Sequence, residues 1–140
     1  MPYMQSWIDH CARPHHFQKP PDESLPSAEG NKPSCGDHVK IWLDISGGTV
    51  HTGWFQGESC AICKASADMA IDNLTGMTVE QAEASCEAFL SYMECDVDVP
   101  EMQQTGDCYE FHCLLTQMPS RVKCATLPWT AIQQILKNAP

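Results

Sequence analysis

An alternating stretch from residue 38 to residue 45 restricts the fold of this chain more than any other feature of its sequence. Every second position is apolar: Val39, Ile41, Leu43 and Ile45. Period-two alternation predicts a β-strand with one buried face. Ser46-Gly47-Gly48 supplies a tight turn, and residues 49–55 return as the second strand of a β-hairpin.

Helices are predicted on both sides of this hairpin. Cys60 opens one that runs to about Asn73 and is closed by Gly76. Thr78 and Gln81 form a capping box that starts a second helix, in which apolar residues recur at helical spacing. Two further helices are predicted, the first ended by Pro14 and the last starting at Pro128: residues 3–13 and 128–137. The fold class is therefore α+β, a small antiparallel sheet packed with helices.

The segment between the first helix and the hairpin is expected to carry no regular structure. Residues 14–33 are rich in proline, serine, histidine and charge, which predicts a flexible arm. Residues 26–33, with proline at both ends, make a poor strand. The 140 residues suffice for a single domain with one core.

Charge and composition exclude several classes of function. The net charge is −10, from 18 acidic and 8 basic residues, which disfavours nucleic-acid binding. This charge could serve solubility, or it could attract a basic protein partner. No apolar run approaches the ~20 residues of a membrane span, and the first residues do not resemble a secretory signal. The nine cysteines are therefore expected to be reduced thiols in the cytoplasm, with a disulfide-built domain as the alternative.

Four residues form a candidate metal-ligand set: Cys35, Asp37, Cys60 and Cys124. Gly36 lets the chain fold so that both of its neighbours reach one ion. Cys60 is at a helix start and Cys124 lies beside Arg121 and Lys123, settings that favour thiolate. Three thiolates and one carboxylate suit a tetrahedral zinc or one face of an iron–sulfur cluster. The alternative is that these cysteines are ordinary small core residues, and spacing alone does not decide between the two.

Other sulfur and imidazole groups are weaker candidates. Cys63 completes a C-x-x-C with Cys60 and could share its ligand, although a packed or spare thiol is the simpler interpretation. A second metal site could form from Cys108, His112 and Cys113, with local packing as the alternative. The histidines near the arm could bind metal, but exposure on a polar loop is the default: His10, His15 and His16. No function is assigned to Cys11, Cys86 or Cys95.

Several segments together resemble the IscU/NifU-type iron–sulfur cluster assembly proteins, and their SufU branch most closely. The matching segments, in chain order, lie at 33–37, 55–62, 65–67 and 121–129. The opening helix, with Asp9-His10 and Arg13-Pro14, is also similar to that family. Lys123 stands where IscU-type chains have histidine, and residues 94–118 correspond to a SufU-type insertion. Ser59 and Cys63 depart from the family pattern, which has glycine and serine there.

The resemblance implies an IscU-like fold with the metal site at one end, over a single domain spanning residues 1–140. In SufU-type proteins the implied ligands of zinc are Cys35, Asp37, Cys60 and Cys124. The implied role is a zinc-dependent sulfur carrier, a sulfurtransferase rather than a metabolic enzyme, that accepts persulfide sulfur from a SufS-type cysteine desulfurase. Cys35 is the implied acceptor: its thiolate dissociates from zinc and then takes the sulfur. Cys124 is the alternative acceptor.

Two other functions stay open. IscU-type relatives imply a scaffold that assembles a transient [2Fe–2S] cluster on Cys35, Cys60 and Cys124. The third function belongs to another class, a purely structural zinc-binding module. Downstream partners would be cluster assembly proteins or apo-acceptor proteins, with neither nucleic acid nor membrane involved.

Overall fold

The computed structural model describes residues 8–32, 36–94, 111–113 and 115–139. Within them, three strands form one antiparallel sheet in the order β1 (Ser27–Lys32), β2 (Asp37–Ser46), β3 (Thr49–Gln56). The long helices that follow are α1 (Ala61–Leu74), α2 (Val79–Glu94) and α3 (Val122–Lys137). Residues 8–12 are also helical, and a short 3₁₀ turn, Pro119–Arg121, leads into α3. The predicted α+β class is confirmed.

The β-hairpin forms as its alternation predicts. Ser46 pairs with Thr49, which leaves a two-residue turn of Gly47 and Gly48 with φ of +60° and +74°. Two successive positive φ values define a type I′ turn, whose twist matches that of the strands. The inward-facing side chains of β2 are buried against the helices: Val39, Ile41 and Leu43.

The first strand corrects the expectation for residues 14–33. Ser27–Lys32 is not part of a structureless arm but an edge strand, paired with β2 from Ser27↔Trp42 to Lys32↔Asp37. The prolines at positions 26 and 33 flank this strand rather than interrupt it, and an edge strand tolerates such neighbours. Gly30 also allows α3 to approach, because a Cβ there would collide with the Leu127 side chain.

Another part of the predicted arm, at His16 and Phe17, contacts the edge of β3 that does not pair with β2. The Phe55 N–H donates to the carbonyl oxygen of His16 at 2.9 Å, and the Phe17 ring meets the Phe55 ring edge-on at 5.1 Å between centroids. Nζ of Lys64, on α1, lies 4.5 Å from the centroid of the Phe17 ring. These contacts bring residues 15–17 against α1.

Helix boundaries agree with the sequence signals at α1 and α2 and differ at α3. The capping box forms reciprocally, since the Gln81 N–H donates to Thr78 Oγ1 and the Thr78 N–H donates to Gln81 Oε1, both at 3.1 Å. Pro128, expected to start the last helix, lies inside α3, which begins at Val122. A proline there removes a backbone hydrogen bond and costs about 3 kcal/mol. Burial along one face of α3 offsets this cost, and it includes Cys124, Trp129 and Ile132.

The core lies where the sheet and the three helices meet. α3 packs on β1 and β2, α1 packs on β3, and both α1 and α2 pack on α3. Six cysteines lie among the described residues, and none of the six is bonded to another of them: Cys11, Cys60, Cys63, Cys86, Cys113 and Cys124. Of the insertion predicted at 94–118, residues 95–110 and 114 lie outside the described residues. Among the helices that the structure describes, none combines the length and apolarity that crossing a bilayer requires.

The buried thiol of Cys86 makes the fold less stable as the pH rises through the alkaline range. Burial, and then the charge of Glu83, raises the pKa of Cys86 from 9.0 to about 12. The folded state therefore keeps a proton that the unfolded chain releases, so its stability contribution is present below about pH 9 and is lost towards pH 12. In metal-free protein, the difference in unfolding free energy between wild type and Cys86→Ala should shrink by about 3 kcal/mol from about pH 8 to about pH 11. Urea unfolding at the two pH values measures this, and a constant difference would contradict the assignment.

Candidate metal centre

Three of the four ligands proposed from the sequence converge at one end of the sheet. Asp37 opens β2, Cys60 precedes α1 and Cys124 lies in the first turn of α3. One carboxylate oxygen and the two Sγ atoms all lie within 4.8 Å of one another. The fourth proposed ligand, Cys35, lies outside the described residues, separated from Asp37 by Gly36 alone.

Asp37 is the buried centre of this cluster. Its side chain is almost inaccessible, with the residue only 1% exposed. One carboxylate oxygen accepts from the Cys60 backbone N–H at 2.7 Å, and the other lies 3.6 Å from the Cys60 thiol. Burial of an unpaired carboxylate is costly. The buried Asp37 carboxylate therefore favours compensation of its charge by hydrogen bonds and by a bound cation.

The loop before Cys60 is held against β2 by a glycine. The His38 N–H donates to the Glu58 carbonyl oxygen at 2.7 Å. Gly57 has φ of +131°, and a Cβ there would run into the His38 backbone carbonyl. Only glycine combines that φ with so close an approach, and the approach places Cys60 beside Asp37.

Cys60 is the N-cap residue of α1, as the sequence predicts. Its sulfur accepts the Cys63 backbone N–H at 3.4 Å, in the way an N-cap side chain accepts a free amide of the first turn. The positive end of the helix dipole is therefore aimed at Sγ. This arrangement suits a sulfur that carries negative charge, as a metal-bound thiolate does.

The environment of Cys124 differs from the sequence-based expectation. Arg121 and Lys123 are exposed, whereas Cys124 is fully buried. Burial, with Asp37 and Cys60 beside it, raises the pKa of Cys124 to about 12. Without a cation the thiol therefore keeps its proton at neutral pH, and binding of a metal ion would displace it.

Cys63 packs behind the centre and does not join it. Its side chain is fully buried, and it is not among the residues whose ligand atoms converge. Burial first, and then the charge of Asp37, raises the pKa of Cys63 well above its ordinary value. Of the two interpretations of the C-x-x-C, the structure favours a packed thiol.

The donor atoms fit zinc. Two sulfurs and one carboxylate oxygen, close enough to share one ion, supply three of the four positions of a tetrahedral site. Asp37 and Cys60 are already hydrogen-bonded to each other, so a small shift of side chains is enough to bring both onto one ion.

A family model described as the NifU-like N-terminal domain matches residues 2–138. The chain belongs to this family. The match spans almost the whole chain, and it confirms the resemblance to IscU/NifU-type proteins that the cysteine motifs indicate.

The similar proteins include both an IscU scaffold and a SufU sulfurtransferase, the two types that the motifs indicate. The chain is 29% identical over 137 residues to the iron–sulfur cluster assembly scaffold protein IscU of Streptococcus pyogenes serotype M1, covering 98% of this chain and 84% of that protein. It is 29% identical over 134 residues to the zinc-dependent sulfurtransferase SufU of Bacillus subtilis strain 168, covering 94% of this chain and 87% of that protein.

A solved structure from the same family has the same fold. It is the putative iron–sulfur cluster assembly scaffold protein for the SUF system from Fervidobacterium islandicum AW-1. The TM-score is 0.83 at 26% identity, with 94% of each chain covered. The IscU-like fold expected from the motifs is therefore confirmed.

The other candidates of the sequence analysis have separate outcomes. Of the group Cys108, His112 and Cys113, the structure describes only the last two, and His112 Nδ1 lies 3.2 Å from Met93 Sδ. Cys95 also lies outside the described residues, and Cys11 is half-buried. No metal role follows for any of them.

Of the three histidines near the arm, His15 is exposed as the default expects, whereas His10 and His16 depart from it. His10 is only 6% exposed, and its ring meets the buried carboxylate of Asp68 on α1. Sequence reasoning overlooked Asp68 and Asp72. Their spacing, four residues apart on one helix face, was the signal that could have indicated a paired carboxylate site.

Proposed function

We propose that this protein is a zinc-dependent sulfur carrier in iron–sulfur cluster assembly, which accepts persulfide sulfur from a SufS-type cysteine desulfurase. The observation that carries the proposal is the convergence of Asp37 with the thiols of Cys60 and Cys124 at the start of three different elements. The similarity to the SufU sulfurtransferase of Bacillus subtilis supports the same activity.

The residues that would hold the zinc ion are Cys35, Asp37, Cys60 and Cys124. When bound, zinc would keep these thiols ionised at neutral pH. That matters most at Cys124, because burial raises its pKa to about 12. The N–H groups directed at Asp37 and Cys60 orient both side chains towards the shared position.

Cys35 is the proposed sulfur acceptor. Its thiolate attacks the outer sulfur of the desulfurase persulfide, a new S–S bond forms at Cys35, and the desulfurase cysteine leaves as a thiolate. Cys124 is the alternative acceptor. Its complete burial argues against it, because an attacking sulfur must reach a group held by another protein.

Asp37 is proposed to make the site labile. A carboxylate is a harder ligand than thiolate and binds a borderline-soft ion less firmly. Cys60 caps α1 and Cys124 lies in the first turn of α3, so both would stay in place while the Asp37 and Cys35 side of the site rearranges.

A second candidate function is a scaffold for a transient [2Fe–2S] cluster on Cys35, Cys60 and Cys124. The observation that favours it is the same pair of converging thiols, since thiolates are the usual ligands of such clusters. The similarity to the IscU scaffold of Streptococcus pyogenes supports it as well.

Metal and acid-labile sulfide analysis of protein purified without oxygen tests these alternatives. The sulfur carrier should contain zinc without sulfide at the cysteine centre, and it should stimulate the turnover of a SufS-type desulfurase. Iron with matching sulfide would instead support the scaffold. Zinc with no stimulation, together with unfolding on chelation, would reduce the centre to a structural module.

A further inference from the structure

A second cluster of metal-binding side chains lies away from the cysteine centre. Asp68 and Asp72 lie one turn apart on α1. His10, from helical residues 8–12, and His15, after Pro14, approach them from the N-terminal segment. One ligand atom from each of the four residues lies within 4.8 Å of all the others.

The distances in this cluster resemble those of a coordination sphere. His10 Nδ1 lies 2.6 Å from Asp68 Oδ2 and 3.8 Å from Asp72 Oδ2, and His15 Nδ1 lies 3.0 Å from Asp72 Oδ2 and 3.9 Å from Asp68 Oδ2. In a tetrahedral site with bonds of about 2.1 Å, ligand atoms are about 3.4 Å apart. Two of the four distances, at hydrogen-bond length, lie below that value and two lie above it, so small shifts would bring all four atoms onto one ion.

Burial gives the cluster a closed inner side and an open outer side. The Asp68 side chain is completely buried and that of His10 is 7% exposed. The side chains of Asp72 and His15 are 37% and 65% exposed, which leaves a path for an ion from solvent. A buried carboxylate is expensive unless its charge is compensated, and a cation at this position would compensate both carboxylates.

His16 orients the outer carboxylate. Its Nε2 lies 2.6 Å from Asp72 Oδ1, which leaves Asp72 Oδ2 directed at His10 and His15. Its backbone N–H donates to Asp68 Oδ1 at 2.9 Å, so the same residue also fixes the inner carboxylate. Partners of this kind, which hold a ligand through its second polar atom, are typical of metal sites.

We propose that His10, His15, Asp68 and Asp72 form a second metal site for a divalent transition-metal ion of the zinc and ferrous-iron class. Two imidazole nitrogens and two carboxylate oxygens suit these ions, and none of the four ligands is a thiolate. The site is separate from the cysteine centre. Asp68 lies eight positions after Cys60 in the chain, about 12 Å along the helix axis.

Titration of metal-free protein with cobalt(II), used as a spectroscopic probe, tests the proposal. Wild-type protein should bind two equivalents. The cysteine centre should give an intense thiolate-to-metal band in the near ultraviolet, and the second site should give only weaker ligand-field bands in the visible. The double variant His15→Ala, Asp72→Asn should lose the second equivalent and keep the near-ultraviolet band. Both of its positions are partly exposed, so the fold should survive, as circular dichroism would check.

The matched control is His51→Ala, at an exposed histidine on β3 outside the cluster, which should retain both equivalents. His16→Gln, at a positioning residue, should weaken the second equivalent by roughly 10–100-fold. A single equivalent in wild type that carries the near-ultraviolet band would overturn the proposal and leave the cluster as ion pairs. A second equivalent unaffected by the double variant would also overturn it. Loss of the near-ultraviolet band alone would count against the cysteine centre and not against this site.

Discussion

Cys35→Ala should abolish sulfur transfer from the desulfurase to this protein. The physical reason is that no other candidate cysteine of the centre is placed to attack: Cys124 is fully buried, and Cys60 is held as the N-cap of α1. The measurement is intact-protein mass spectrometry after incubation with a SufS-type desulfurase and cysteine. Wild-type protein should gain the mass of one sulfur atom, and the variant should gain none.

Asp37→Ala is the matched control for this experiment. It also removes one proposed ligand but keeps the proposed acceptor, so it should still gain sulfur, at an altered rate. The pair separates loss of the acceptor from loss of the metal, and zinc content is measured on both variants. Full sulfur acceptance by Cys35→Ala would refute the assignment and leave Cys124 as the alternative acceptor.

Trp129→Ala should destabilise the fold by about 3–5 kcal/mol, the usual cost of removing a large buried aromatic side chain. Trp129 is 1% exposed and stacks on Phe89 of α2, with 4.1 Å between ring centroids. Its Nε1–H donates to Ser66 Oγ on α1 at 3.0 Å, and that hydroxyl donates to the Ala125 carbonyl oxygen of α3. One side chain therefore joins all three long helices that carry or support the centre.

Urea unfolding of metal-free protein measures this effect without the contribution of bound zinc. Trp129→Phe should cost less than Trp129→Ala, because it keeps the ring stack and loses mainly the hydrogen bond, worth about 1 kcal/mol. Trp54→Ala, at a half-buried position on β3, removes the same side chain outside the core and should cost less than Trp129→Ala. A loss below about 1 kcal/mol for Trp129→Ala would mean that this contact does not hold the helices together.

Local sequence signals correctly predict the elements whose structure depends on residues adjacent in the chain. The alternation at 38–45 and the two glycines of its turn produced the hairpin, since both the period and the turn type are properties of a few adjacent residues. The capping box at Thr78 worked for the same reason. The strand Ser27–Lys32 was missed because its stability comes from pairing with β2, which no local pattern encodes.

The last helix shows the opposite error. Proline is a strong local signal for a helix start, and it predicts that start at Pro128. The structure begins α3 at Val122, because burial of its apolar face against the sheet and two helices outweighs one lost hydrogen bond. As a result Cys124 lies in the first turn of a helix that begins well before Pro128.

The sequence alone determined the family, the hairpin and the helix start at Cys60, because motifs and short-range patterns specify them, and it predicted the cysteine and aspartate ligands. The tertiary structure decided how these groups are solvated and which of them meet. It buried Asp37 and raised the pKa of Cys124 despite the cations beside it in sequence. It also joined His10 to Asp68, residues 58 positions apart. Burial and long-range contact arise only when separate elements pack together, so residues distant in the chain acquire their chemistry from the fold.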